Sequence, residues 1–238
     1  MKNISLNTFF ISCLVFFFSG CSKMNDLHSE FLKGGERVYI GKVDSLKTFA
    51  GDERIKLQFW ASDPRVKSLV FYWIPGNDSL IVDIDKTSSG DSYEVFIGGQ
   101  NSPKVISEGS YTLKTVTTDN LGNYSLPFAK IINVYGDQFR SNLFNRRLQS
   151  VEYQVLDGSV LLYFTGPVND KEIGVEITFD DMDEIARKLI LLNSEITSPV
   201  KLSNVNISNE VSYRSLFLPE PSAVDTFFIS KTIIEIPN

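Results

Sequence analysis

From residue 43 onward, apolar and polar positions alternate in short runs, and turn residues punctuate the runs. The first seven runs lie at 43–49, 54–60, 68–74, 79–84, 92–97, 110–118 and 124–134. In the second, Ile55, Leu57 and Phe59 fall on one face and Lys56, Gln58 and Trp60 on the other. That two-residue period is the signature of a half-buried strand. Ser62-Asp63-Pro64, Pro75-Gly76-Asn77-Asp78, Thr87-Ser88-Ser89-Gly90 and Asp119-Asn120-Leu121-Gly122 separate the runs as turns. Short strands at this spacing predict a sandwich. Residues 136–147 break the rhythm with a polar, Asn-rich stretch, and the boundary is expected near Gln138. The alternation then resumes at 148–155, 160–164, 173–179 and 186–192, with Asp157-Gly158 as a hairpin turn. Residues 180–192 also fit a helix, with an Asp cap and Ile185, Leu189 and Leu192 in register. A hairpin turning at Asp180-Asp181-Met182-Asp183-Glu184 is preferred.

The two halves echo one another. Tyr213 follows Phe164 by 49 residues, close to the 52 between Phe59 and Tyr111, as in a tandem of related sandwiches. The sixth run, Tyr111-Thr112-Leu113-Lys114-Thr115-Val116-Thr117-Thr118-Asp119-Asn120-Leu121-Gly122, resembles a fibronectin type III strand. The resemblance implies that Tyr111 packs between sheets and that its hydroxyl ties back to the preceding corner. The aromatic of the second strand falls to Phe59 by spacing. Either Phe59 is core and Trp60 faces out, or a bulge turns Trp60 inward.

The N-terminus has a different pattern. Lys2 is the only charge before Lys23, residues 4–18 are dominated by Ile, Leu, Val and Phe, and Ser19-Gly20-Cys21 follows. This is secretory-signal architecture, and the apolar run is short for a membrane span, which needs about 20 residues. Ser19-Gly20-Cys21 resembles the lipobox of bacterial lipoproteins, which implies cleavage before Cys21 and a diacylglycerol on its sulfur. Phe18 stands where that pattern usually has Leu. The chain then divides into 1–20 signal peptide, 21–38 tether, 39–137 a fibronectin type III-like sandwich and 138–238 a second, related sandwich. The expected fold class is all-β. The expected location is the outer membrane, facing the cell surface or the periplasm, with the membrane as partner through Cys21.

Composition narrows the function. A hydrophobic content of 42% supports packed cores, and a net charge of −6 with no Lys/Arg cluster argues against nucleic acid as partner. Cys13 lies in the expected signal peptide, so Cys21 would be the mature chain's single cysteine, which leaves out disulfides and cysteine metal sites. The only histidine, His28, lies in the tether, which argues against a histidine triad or zinc site. Asp180, Asp181, Asp183 and Glu184 form the densest acidic group; its spacing lacks the EF-hand pattern and reads as a solvated turn. No catalytic set, metal or cofactor is expected. Phe71, Tyr72 and Trp73 are consecutive, so alternation sends Tyr72 to the opposite face from its neighbours. Trp60 and Trp73 are the candidate ligand-binding residues, as aromatics that stack on sugar rings, but core packing with one stray exposed ring is the preferred reading. Arg146 and Arg147 read as linker contacts.

Over residues 39–236 the chain resembles a Bacteroidota lipoprotein family known only as a domain of unknown function, family 4998. The stretches that carry this are Gly41-Lys42-Val43-Asp44-Ser45-Leu46, Ser62-Asp63-Pro64-Arg65-Val66, Tyr135-Gly136-Asp137, Asn145-Arg146-Arg147 and Ser212-Tyr213-Arg214-Ser215-Leu216-Phe217-Leu218-Pro219-Glu220-Pro221. The resemblance implies an anchored envelope protein and supplies no activity. The expectation is therefore a non-enzymatic binding or spacing module, for a glycan or an envelope protein partner. The alternatives are a glycan hydrolase working through carboxylates such as Asp181 and Glu184, and a passive spacer.

Overall fold

Alternating side chains fold the first half into seven strands: β1 (Ser45–Ala50), β2 (Arg54–Trp60), β3 (Ser68–Ile74), β4 (Asp78–Asp83), β5 (Tyr93–Gly98), β6 (Gly109–Thr118) and β7 (Phe128–Val134). The computed structural model describes residues 38–85, 92–100 and 102–237. The expected signal peptide, Cys21, His28, nearly all of the tether and the turn at 87–90 lie outside the described residues. A short helix, α1 (Asp137–Ser141), precedes the second set of strands. These are β8 (Leu148–Gln154), β9 (Ser159–Phe164), β10 (Glu172–Asp180), β11 (Ala186–Leu192), β12 (Val200–Leu202), β13 (Ser212–Phe217) and β14 (Thr232–Ile233).

All strand pairings are antiparallel, in four sheets: β1-β2-β5, β4-β3-β6-β7, β8-β9-β12 and β11-β10-β13-β14. Adding seven to each strand number of the first half gives the order of the second. Each half therefore sets a three-stranded sheet beside a four-stranded one, the fibronectin type III arrangement, and the repeat inferred from the Phe–Tyr spacing holds at the level of topology. The hairpin at residues 180–186 is formed, with β10 and β11 paired from Gly174↔Leu192 to Asp180↔Ala186. Isolated helical register at three leucine-type positions does not outweigh seven paired residues.

The core of the first sandwich is the inward row of each strand: Ile55, Leu57 and Phe59 from β2 against Leu69, Phe71 and Trp73 from β3. Phe59 takes the core position, with its ring 5.3 Å from Phe71 in an edge-on contact and 5.6 Å from Tyr93 in a stack. No bulge intervenes between β1 and β2, which pair without a break from Ser45↔Trp60 to Ala50↔Ile55. Trp60 therefore faces outward. Tyr111 donates from its hydroxyl to the carbonyl of Ser107 at 2.9 Å, which closes the corner as the resemblance implies. Tyr111→Phe should cost about 1 kcal/mol, the net worth of one such bond, checked by denaturant melts of both proteins.

In the second sandwich Val160, Leu162 and Phe164 meet Val175, Ile177 and Tyr213, with Phe164 and Tyr213 edge-on at 5.1 Å. Three features differ from the sequence pattern. The seventh strand begins at Phe128, and Tyr124 makes only an isolated bridge to Thr118, because Pro127 has no N–H to continue the ladder. α1 arises inside the stretch read as irregular, and Glu108 starts it by accepting from the N–H groups of Gln138 (2.6 Å) and Phe139 (2.9 Å). β12 and β14 are three and two residues long, too short to show a period.

Candidate functional site

Arg146, Glu172 and Ser215 are buried polar side chains where the linker meets the second sandwich. β10 carries a bulge between Glu172 and Gly174, which breaks the alternation and turns Glu172 inward. Glycine is required there because a Cβ at Gly174 would lie 2.1 Å from the Leu191 carbonyl oxygen. Glu172 is fully enclosed and meets the Nε of Arg146 at 2.9 Å, with Arg146 almost as buried. Ser215 donates from its hydroxyl to the same carboxylate oxygen (3.0 Å) while accepting from the Arg146 N–H (2.7 Å). The Val168 N–H takes the second carboxylate oxygen, and Arg146 also reaches Asn193. Tyr213 donates to the Arg146 carbonyl at 2.6 Å. This second-repeat tyrosine therefore closes onto the linker rather than onto its own corner.

Asn145 completes the knot. Its side-chain oxygen accepts from the Ser215 N–H (2.9 Å) and its amide donates to the Ser230 carbonyl (2.9 Å) and the Thr232 hydroxyl (2.8 Å). β14 pairs with only two residues of β13, and Asn145 stands in for the missing length.

A second set of contacts ties residues 217–229 to the first sandwich. Asp225 accepts from the Asp52 N–H (2.9 Å) and from Arg54 Nε (2.8 Å), and the Val224 N–H donates to Ala50 at 2.8 Å. Glu220 accepts from the Tyr135 hydroxyl at 3.1 Å and from Asn133 at 3.3 Å. Beneath these, Phe217, Phe227 and Leu143 are buried and packed with Tyr135, Phe139 and Ile229. Phe227 meets Phe139 edge-on at 5.0 Å, and the Arg140 guanidinium lies 5.3 Å from the Phe227 ring. Burial and then the bond to Glu220 push the Tyr135 hydroxyl up to about 12.

Burial opposes ionisation of Asp225, but Arg54 and the Asp52 N–H outweigh it and hold the carboxyl below its ordinary value. A depressed folded value means that the ionised form stabilises the joint above the unfolded value, near pH 4. That contribution is lost as pH falls through the folded value. The joint should therefore loosen below about pH 4, seen as growing interdomain distances in a fluorescence pair placed on the two sandwiches. In Asp225→Asn, which cannot titrate, the acid dependence should be largely absent.

Trp73 is in the core at 2% exposure, and Trp60 sits on the outer face of the β1-β2-β5 sheet with Lys47 Nζ 5.4 Å from its ring centre. The two are not brought together, because Trp73 is on the inward row of β3 and its neighbour Tyr72 takes the exposed position. Lys56 lies 5.8 Å from the Phe49 ring and Arg54 5.1 Å from the Phe96 ring, so Trp60 belongs to a surface of alternating cations and aromatics.

Asp181 has its carboxylate occupied by the N–H groups of Ile185 (2.9 Å) and Asp183 (3.0 Å) and by Arg187 Nε (2.7 Å). The Ile185 N–H, opposed in part by burial, and then Arg187 hold its carboxyl low. Glu184 is exposed at the turn with a left-handed φ of 59°. Among the described residues, no group of three or more His, Cys, Asp or Glu side chains is placed to hold a metal ion.

The five stretches singled out by resemblance all have structural work. Gly41 donates to Asp63 (2.6 Å), Ser62 donates to Asp44 (2.6 Å) and the Thr117 hydroxyl donates to the Gly41 carbonyl (2.6 Å), which clasps the chain leading into β1 against the turn after β2. The other three build the knot and the joint. A comparison with protein families finds a match over residues 21–227 to a family described as a domain of unknown function. The chain belongs to that family, DUF4998.

No curated protein matches the DUF4998 chain. Among solved structures, a segment of two fibronectin type III domains from chicken tenascin is 10% identical, covering 82% of this chain and 99% of that one, with a TM-score of 0.32. The first three fibronectin domains of chicken CNTN1 are 11% identical, covering 81% of this chain and 67% of that one, with a TM-score of 0.40. The fold assignment made above stands on the strand order, not on these likenesses.

Sequence reasoning missed Glu172, Asp225 and Phe227. Their partners lie far off in the chain, 173 residues in the case of Asp52 and Asp225, and a lone acid or phenylalanine gives no local sign of such a partner. The Tyr135-Gly136-Asp137, Asn145-Arg146-Arg147 and Ser212–Pro221 stretches were the available signals, and only a linker role for Arg146 and Arg147 was readable.

Proposed function

We propose that this DUF4998 protein is a non-enzymatic, lipid-anchored envelope protein that holds a binding surface at a fixed distance from an outer membrane. The observation that carries this is the joint. Asp225, Glu220 and Phe227 of the second sandwich are engaged by Arg54, Tyr135 and Phe139 on the side of the first. A pair of sandwiches joined by a bare linker would swing; one clamped by ion pair, hydrogen bonds and an aromatic cluster transmits position. The lipobox-like Ser19-Gly20-Cys21 supports the anchor, since several acyl chains give lasting attachment where one does not. The outer face bearing Trp60 is the candidate glycan surface, its ring partly exposed beside Lys47.

The test has two arms. In the expressing cell, labelled fatty acid should be incorporated and the protein should fractionate with the outer membrane, and Cys21→Ser should abolish both. On a glycan array, the chain from residue 22 to 238 should give a hit that Trp60→Ala weakens by about tenfold, the scale of one lost aromatic stacking contact. A folded protein without any hit would leave the spacing role and refute the glycan surface. A soluble cytoplasmic protein would refute the whole reading.

A further inference from the structure

Each sandwich has an open side where the edge strand of one sheet faces the edge strand of the other: β4 and β5 in the first, β11 and β12 in the second. A cleft lies at each, about 650 Å³ between β4 and β5 and about 410 Å³ between β11 and β12. The two equivalent edges carry opposite charge. Asp78, Asp83 and Glu94 are the charged residues of β4 and β5, with no Lys or Arg. Arg187, Lys188 and Lys201 are those of β11 and β12, with no Asp or Glu. Asp83 has no ion-pair partner among the described residues. The other five are paired within the chain, yet their side chains keep 43–55% exposure and remain reachable.

The backbone is set for pairing as well. The Ile84 N–H donates to Lys67 on the β3 side, so by alternation Ile81 and Asp83 turn their N–H and C=O groups to the open edge. The Asn193 N–H donates to Ile173 on the β10 side, so Lys188 and Ile190 turn theirs outward in the same way. Unpaired edges of this kind are templates for another strand.

We infer that a second copy of this chain pairs its β11 edge, antiparallel, with the β4 edge of the first. One register satisfies every position. Asp83 meets Lys188, and Ile81 meets Ile190, which are 64% and 50% exposed on the outer face. On the inner face Val82 meets Leu189 and Leu80 meets Leu191. The outward-turned backbone groups coincide in that register, and the two four-stranded sheets become one continuous sheet. Because each chain offers one acidic and one basic edge, the contact is head-to-tail and repeats from copy to copy, as an open row or a closed ring.

The experiment is sedimentation of the chain from residue 22 to 238 across micromolar to millimolar concentration, at low and high salt. The wild-type protein should associate with rising concentration and less so in high salt. Asp83→Lys should weaken association by more than about tenfold, since a like charge then faces Lys188. Asp83→Lys/Lys188→Glu should restore it, because each edge again meets its opposite. Ile81→Pro removes an outward N–H without altering charge and should also keep the protein monomeric, with melting curves confirming that it is folded. A wild-type protein that stays monomeric throughout would overturn the inference. So would association that Asp83→Lys leaves unchanged, or that the double reversal fails to restore.

Discussion

Glu172→Ala should lower the unfolding free energy by about 3–5 kcal/mol, the cost of stranding one member of a buried ion pair. The side chains of Arg146 and Glu172 are 3% and 0% exposed, so water cannot re-solvate the guanidinium once its partner is gone. The loss extends beyond the pair. Ser215 and the Val168 N–H also bond that carboxylate, and the Ser215 hydroxyl, itself buried, is left with its acceptor missing. Glu172→Gln separates the effects: it keeps the volume and one acceptor oxygen and should cost less. Replacing both members by apolar residues of similar size, Arg146→Met with Glu172→Leu, should recover much of the loss, since burying two charges is itself expensive. Thermal and urea melts of the four proteins check this. If Glu172→Ala melts like the parent, the pair is not buried as described and the knot is not the keystone of the second sandwich.

Much of the fold was legible because the strands obey a local rule. β2 follows a two-residue period, and Asp180-Asp181-Met182-Asp183-Glu184 has the composition of a turn. What stayed hidden belongs to distance. Trp60 and Phe59 were equally good core candidates until the unbroken pairing of β1 with β2 fixed which face each takes. Trp73 was offered as a ligand residue because alternation alone does not say which face of β3 meets the other sheet. Glu172 was invisible for a related reason: a bulge inverts its facing, and the pattern of neighbours predicts an outward carboxylate. The joint is the clearest case. Asp225 and Phe227 follow β13 in a stretch with no period, and their partners belong to the other repeat. The fibronectin-like strand at 110–118 was readable, since Tyr111 and its corner carbonyl lie four residues apart. The corresponding Tyr213 bond spans 67 residues and was not.

Phe227→Ala is expected to cost about 3–5 kcal/mol, the range for deleting a buried aromatic ring, and to act on cooperativity as well as on stability. The ring is 1% exposed and stands between Phe139, Tyr135 and Arg140, so its removal opens a cavity in the apolar cluster that, among the described residues, the halves share. The cores of the two sandwiches are otherwise distinct, one built on Phe59 and Phe71 and the other on Phe164 and Tyr213. With the shared cluster intact, neither half can unfold without exposing Phe227, and calorimetry should show one transition. With alanine there, the coupling falls, and the transition should split or broaden into two. Asp225→Ala should move in the same direction by less, because the Arg54 side chain is 37% exposed and a half-solvated pair contributes little. If Phe227→Ala lowers the melting temperature but leaves a single sharp transition, the halves are coupled through the bonds of Asp225 to Arg54 and of Glu220 to Tyr135, and the aromatic cluster contributes packing alone. If it leaves both unchanged, the clamp on which the spacing role depends does not hold the sandwiches, and the case for a fixed-distance module fails with it.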